Sequence, residues 1–129
     1  MKNSDSRLLD DDGNPMSYAP FPNTSGVFGS GDLESVIVHY TAGCDAAPSV
    51  SALCDAGRKA FENLVVGRDG YVTQLVDFDT IAWHARKSAY GNRIGLNRYS
   101  IGIEIDNSGR LEKNGEEYTS MVQTVLFRL

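Results

Sequence analysis

The chain has 129 residues, 41% hydrophobic and 22% charged, which suits one globular domain large enough to bury a core. Seventeen acidic and twelve basic side chains give a net charge near -5, which argues against nucleic acid as a partner because counterion release needs a Lys/Arg face. No stretch approaches the length of a membrane span, and Met1 leads into acids rather than an apolar signal core, so neither a membrane partner nor a signal peptide is expected.

Residues 1–35 hold Pro15, Pro20 and Pro22 among many Gly, Ser, Asn and Asp, and read as an extended, turn-rich arm packing on a domain formed by residues 36–129. Val36 to Tyr40 is a nearly continuous apolar run rich in β-branched residues, the pattern of a central strand buried on both faces. Pro48 suits a first helical turn, Val50, Leu53 and Cys54 share a face, and Gly57 can stop the helix, so residues 48–57 read as a short amphipathic helix. Leu64–Gly67 and Tyr71–Val76 flank Arg68-Asp69-Gly70, and Asp-Gly between strand-like runs predicts a hairpin.

From Asp77 to Arg98 no period persists, so a long loop with short helical turns is expected, and long loops in compact domains are often functional. Tyr99 to Asp106 then alternates Ile101, Ile103 and Ile105 with Gly102, Glu104 and Asp106. That period places Glu104 on the side of a strand opposite the packed isoleucines. Thr119 or Ser120 can cap a final helix in which Met121, Val122, Val125, Leu126 and Leu129 make an apolar stripe. The stripe is still running at Leu129, with no Gly, Asn or Pro to end it, and reads as a cut end.

Among chemistry-bearing residues, His39 ends an apolar strand and is followed by the small Thr41-Ala42-Gly43. It is either a metal ligand or a core histidine satisfied by a carbonyl. Glu104 is either an exposed-face acid or a buried functional one, with Gly102 leaving room beside it for a substrate. Trp83-His84 is a platform for sugar or peptide, or a loop anchor. Cys44 and Cys54 allow one disulfide or two thiols, with thiols favoured by the missing signal peptide, and their spacing fits no common zinc knuckle. His39, His84 and Glu104 with Cys44 or Asp45 could be gathered into a site, although the spacing does not require it. No Gly-x-Ser-x-Gly elbow supports a serine hydrolase.

Taken together, Val36–Gly43, Leu53-Cys54-Asp55, Val65–Gly70, Gln74-Leu75-Val76, Ala82–Ala85 and Gly95–Asn107 resemble the zinc-dependent N-acetylmuramoyl-L-alanine amidases. That family includes amidase-type phage lysozymes and peptidoglycan-recognition proteins. The resemblance runs from about Pro20 to the last residue. It implies an α/β fold, a mixed central β-sheet flanked by helices, with a peptidoglycan groove and one Zn2+ ion. It makes His39 the first metal ligand, Glu104 the general base, and Tyr40, Thr41, Trp83 and His84 substrate-binding. The other two ligands of the family lie in a segment expected beyond Leu129, so the fold is read as missing its C-terminal part and the 129-residue chain as inert or nearly so.

Phe61-Glu62-Asn63 departs from the Ser-Ala-His common in relatives, and Glu62 adds a charge near the groove. The implied function is hydrolysis of the amide between N-acetylmuramic acid and L-alanine in peptidoglycan or muropeptides. The alternative is a non-catalytic peptidoglycan-binding module, and a third reading has His39, His84 and a cysteine forming a metal site of their own. The implied location is the cytoplasm, or release by phage-type lysis.

Overall fold

The structure is a computed structural model that describes residues 6–21, 24–41, 61–115, 117–120 and 124–125. Its strands are β1 (Ser17–Tyr18), β2 (Ser35–Tyr40), β3 (Leu64–Val66), β4 (Val72–Gln74), β5 (Ala89–Tyr90), β6 (Arg93–Ile94), β7 (Ser100–Ile105), β8 (Leu111–Asn114), β9 (Glu117–Ser120) and β10 (Thr124–Val125). Five form a sheet in the order β1-β4-β3-β7-β2, parallel except for the β3/β4 pair. This is the mixed sheet expected from the sequence. The helix expected over residues 48–57, with Cys44, Asp45 and Cys54, lies outside the described residues, among which the helical structure is a 3-10 turn at Leu96–Arg98. No helix among them is long and apolar enough to cross a membrane.

The hairpin forms where Asp-Gly places it. Val65 stands opposite Thr73, Gly70 takes a left-handed φ of 82°, and Asp69 Oδ1 accepts the Tyr71 N–H at 2.9 Å. The long loop holds the small β5–β6 hairpin and the 3-10 turn. The core gathers Phe21, Phe61, Val65, Leu75, Val76 and Ala82, with Phe21 and Phe61 stacked at 4.1 Å between ring centroids.

Three expectations are corrected. Among the described residues β2 stands at the edge of the sheet and pairs with β7 alone, and Val36, Val38 and Tyr40 are exposed rather than buried; an apolar run specifies a strand but not its place in the sheet order. Residues 117–120 and 124–125 are strands, not a helix: β9 pairs with β8 around Gly115 (φ 66°) and with β10. Tyr118, Thr119 and Val125 favour strands, and cross-strand pairing overrides the helical spacing of the stripe. The N-terminal arm, finally, does more than cover the surface, because β1 extends the sheet and Phe21 enters the core.

Candidate active site

The site is organised by the pairing of β2 with β7. In this parallel ladder Ile37 lies opposite Gly102 and His39 opposite Glu104, so His39 and Glu104 project from the same face of adjacent strands. The C-terminal end of the ladder is fastened by Thr41, whose Oγ1 donates to Asp106 Oδ1 at 2.8 Å and accepts the Asn107 N–H at 3.2 Å. Arg68 Nε stands 3.3 Å from the other oxygen of Asp106. These contacts hold the strand end that carries His39 against the one that carries Glu104.

Glu104 does project opposite the isoleucines, but its face is the enclosed one. Ser100, Gly102, Glu104 and Asp106 are buried, whereas on the isoleucine face burial falls from Ile101, which is buried, through the half-buried Ile103 to the exposed Ile105. The space above Gly102 is not left for a substrate. A Cβ there would stand 2.0 Å from Glu62 Oε2 and 2.5 Å from His84 Cγ. Glycine is therefore what lets these two side chains cross the sheet beside His39.

His84 is buried and its tautomer follows from its neighbours. Its Nε2 lies 3.2 Å from the Ser100 carbonyl and 3.2 Å from Ser100 Oγ. The Ser100 hydroxyl donates its hydrogen to the Leu96 carbonyl at 2.7 Å. Both neighbours of Nε2 are thus acceptors, so Nε2 carries the hydrogen and Nδ1 keeps a lone pair. That Nδ1 faces His39 Nε2 at 3.2 Å. Glu62 Oε2 lies 3.8 Å from each of these nitrogens and, among the described residues, makes no hydrogen bond, although it is buried.

Burial lowers the pKa of His39. It lowers that of His84 too, opposed by the Ser100 backbone hydrogen bond and assisted by His39. Burial, reinforced by the charge of Glu104, pushes Glu62 up to about 8, and burial alone raises Glu104. Two imidazoles and a carboxyl group converge, their nitrogen and oxygen atoms within 4.8 Å of one another. The zinc ion implied by the sequence resemblance fits this donor set, because imidazole nitrogen and carboxylate oxygen are both zinc ligands and a buried carboxylate oxygen without a partner is costly unless paired or bound to a metal.

Of the residues expected at the site, the structure brings together His39, His84 and Glu104, and supports them with Thr41. Tyr40 belongs to the opposite face of β2 by strand alternation and is exposed. Trp83 is 42% exposed and stacks over Phe61 at 6.3 Å, so it is at once a loop anchor and an open indole face. Glu62 is the member whose role the sequence reading left without an account. Its signal was an acid between Phe61 and the apolar start of β3.

Residues 29–127 match the sequence family described as N-acetylmuramoyl-L-alanine amidase. The 1,6-anhydro-N-acetylmuramyl-L-alanine amidase AmpD of Enterobacter cloacae is 34% identical over 87 residues, covering 65% of this chain and 46% of that protein. The chain thus spans about half the length of that relative. Among solved structures, AmiD from Escherichia coli in complex with the substrate anhydro-N-acetylmuramic acid-L-Ala-D-gamma-Glu-L-Lys superimposes with a TM-score of 0.55 at 27% identity, over 76% of this chain and 38% of that one. A mutant endolysin from Bacillus subtilis gives 0.55 at 26% identity, over 78% and 64%.

Proposed function

The chain belongs to the N-acetylmuramoyl-L-alanine amidase family, and from that premise we propose that the protein is a zinc-dependent peptidoglycan hydrolase that cleaves the amide between N-acetylmuramic acid and L-alanine of the stem peptide. The observation that carries this reading is the register of β2 on β7, which sets an imidazole and a carboxyl group side by side on one sheet face at its edge. The muropeptide held by the Escherichia coli neighbour supports the substrate class.

His39 is half-buried and offers a nitrogen ligand for the metal. What zinc supplies when bound is a Lewis acid for the scissile carbonyl and a water pKa lowered to about 7. Glu104 is the general base: it takes a proton from the attacking water as the oxygen adds to the lactyl carbonyl carbon. It returns that proton to the L-alanine nitrogen as the C–N bond breaks. Its raised pKa suits both halves of the exchange, since the group must accept a proton and then release it. Thr41 and Asp106 keep the two strand ends in register, and the exposed indole of Trp83 offers an apolar face to a sugar ring or peptide.

The test is incubation of the chain, loaded with zinc, with anhydro-N-acetylmuramoyl tripeptide, followed by mass spectrometry of the products. The expected result is free sugar and a tripeptide with a new L-alanine amino terminus, slowed about 100-fold or more by Glu104→Gln. Binding of the muropeptide without cleavage would make the protein a recognition module, and absence of both would overturn the reading.

A further inference from the structure

We infer that Arg86 is the residue by which this chain recognises a free carboxylate of its peptide substrate, the α-carboxylate of the γ-linked glutamate that follows L-alanine. The inference deepens the amidase reading and rests on it for the identity of the substrate. Its ground is the loop between His84 and Ser100, whose charged side chains take no part in the chemistry described above.

That loop is the cationic part of an acidic chain. Between Asp79 and Glu104 the sequence holds Arg86, Lys87, Arg93 and Arg98 and no acid, although acids outnumber bases by seventeen to twelve overall. Arg93 is occupied: its guanidinium grips both oxygens of Glu34 and lies 4.6 Å from the centre of the Tyr99 ring. Arg86, Lys87 and Arg98 are exposed and, among the described residues, make no ion pair. A local excess of one sign that the fold leaves unneutralised attracts a ligand of the opposite sign.

The backbone singles out Arg86 among these three. Its φ is 44°, in the left-handed region that a residue with a Cβ enters only at a cost. At the other two left-handed positions of the same loop the sequence places Gly91 and Gly95, with φ 57° and 76°. Arginine at the first therefore keeps a strain that glycine would remove. Residues held in this way cluster at ligand clamps, where the surrounding structure over-determines them. Here the loop is closed on itself. The Ala85 N–H donates to Asn97 Oδ1 at 2.7 Å, the Gly95 N–H to the Ser88 carbonyl at 2.8 Å and the Leu96 N–H to Ser88 Oγ at 3.1 Å. These bonds flank Arg86 on both sides and fix the point at which its side chain leaves the loop.

The position suits the carboxylate. Arg86 follows His84 by two residues, which puts their Cα atoms within about 7 Å of each other, and His84 Nδ1 lies 3.2 Å from His39 Nε2. In the muropeptide of the Escherichia coli neighbour the residue after L-alanine is a D-glutamate joined through its γ-carboxyl, a linkage that leaves the α-carboxylate free. That group belongs to the second residue from the bond to be broken, as Arg86 is the second residue from the histidine at the centre. A guanidinium offers a carboxylate two parallel N–H donors, and a carboxamide can accept at one oxygen only.

The experiment measures binding to the 129-residue chain by calorimetry, with no zinc added so that binding is read without turnover. The two probes are anhydro-N-acetylmuramoyl-L-alanyl-γ-D-glutamyl-L-lysine and the same molecule amidated at the glutamate α-carboxylate. The parent is expected to bind the free acid at least about 10-fold more tightly, the scale of a hydrogen bond to a charged group. Arg86→Gly should weaken binding of the acid by the same factor and leave that of the amide unchanged. Its urea midpoint should be no lower than the parent's, because glycine takes a left-handed φ freely. Arg86→Lys, which keeps the charge without the fork, should retain part of the preference. Equal affinity of the parent for the two probes, or a preference that survives in Arg86→Gly, would overturn the inference and leave the amidase reading standing. A lowered midpoint in Arg86→Gly with both probes weakened alike would make Arg86 a support of the loop, and would overturn it too. Binding of neither probe would overturn the amidase reading and the inference with it. A carboxylate preference lost in Arg86→Gly, in a chain that cleaves neither probe when loaded with zinc, upholds the carboxylate site and defeats the reaction.

Discussion

At the scale of single residues, Gly102 decides whether the site can exist. It lies inside β7, where replacing glycine by alanine ordinarily stabilises a strand by limiting the unfolded chain. Here the new Cβ would meet Glu62 Oε2 at 2.0 Å, His84 Cγ at 2.5 Å and His84 Cβ at 2.8 Å. The carboxylate can swing away, but the atoms at the root of the His84 side chain cannot, so the clash wins. Gly102→Ala is expected to cost about 1–3 kcal/mol, the range for overpacking a core, read as a lower urea midpoint. Adding Glu62→Ala should restore part of the loss and not all of it; full restoration would mean that His84 is not held as described. The sequence made His39 and Glu104 legible because each sits at a defined place in an apolar pattern. Glu62 was not legible in the same way, because its meeting with residues 39 and 84 depends on a crossing of three chain segments that no local period records.

Among the elements, those set by local chemistry were readable and those set by long-range pairing were not. The β3–β4 hairpin follows from Asp69-Gly70, and β7 from its alternating isoleucines. The position of β2 in the sheet order is fixed by a partner distant in sequence, and the strands described at residues 117–120 and 124–125 are fixed by cross-strand pairing rather than by the spacing of their apolar residues. Asn63 shows how the elements are tied. Its Oδ1 accepts the Gly102 N–H of β7 at 3.0 Å, and its Nδ2 reaches the carbonyls of Asp77 and Thr80 at 3.5 and 3.4 Å. Its backbone also exchanges hydrogen bonds with Gly102 and Leu75. One fully buried amide thus joins β7 and the start of the long loop to the segment leading into β3. Asn63→Ala removes the acceptor of a buried N–H and both loop contacts. We expect a loss of about 1–3 kcal/mol in urea unfolding, the cost of leaving a buried polar group without its partner.

At the scale of the whole molecule, the question is whether the N-terminal arm belongs to the cooperative unit. Its composition, rich in proline and turn residues, reads as a covering without a core of its own, and that is true of the segment taken alone. In the folded protein it supplies β1 to the sheet, the Ala19 and Phe21 N–H groups donate to the Gln74 and Leu75 carbonyls at 2.9 and 3.0 Å, and the buried Gln74 amide donates to the Ser6 carbonyl at 2.9 Å. Phe21 then stacks on Phe61, which stacks in turn beneath Trp83. That line of rings runs from the arm to the loop carrying His84, with Phe61 adjacent in sequence to Glu62. Loss of its first member should therefore be felt by the whole fold. Phe21→Ala is expected to cost about 3–5 kcal/mol, the range for emptying a buried phenylalanine site. It should shift a single unfolding transition seen alike by Trp83 fluorescence and by circular dichroism. A transition unchanged in midpoint, with the arm alone released to protease, would mean that the arm docks on a sheet already complete without it. In that case the ring stack would be a contact of the arm rather than a support of the site.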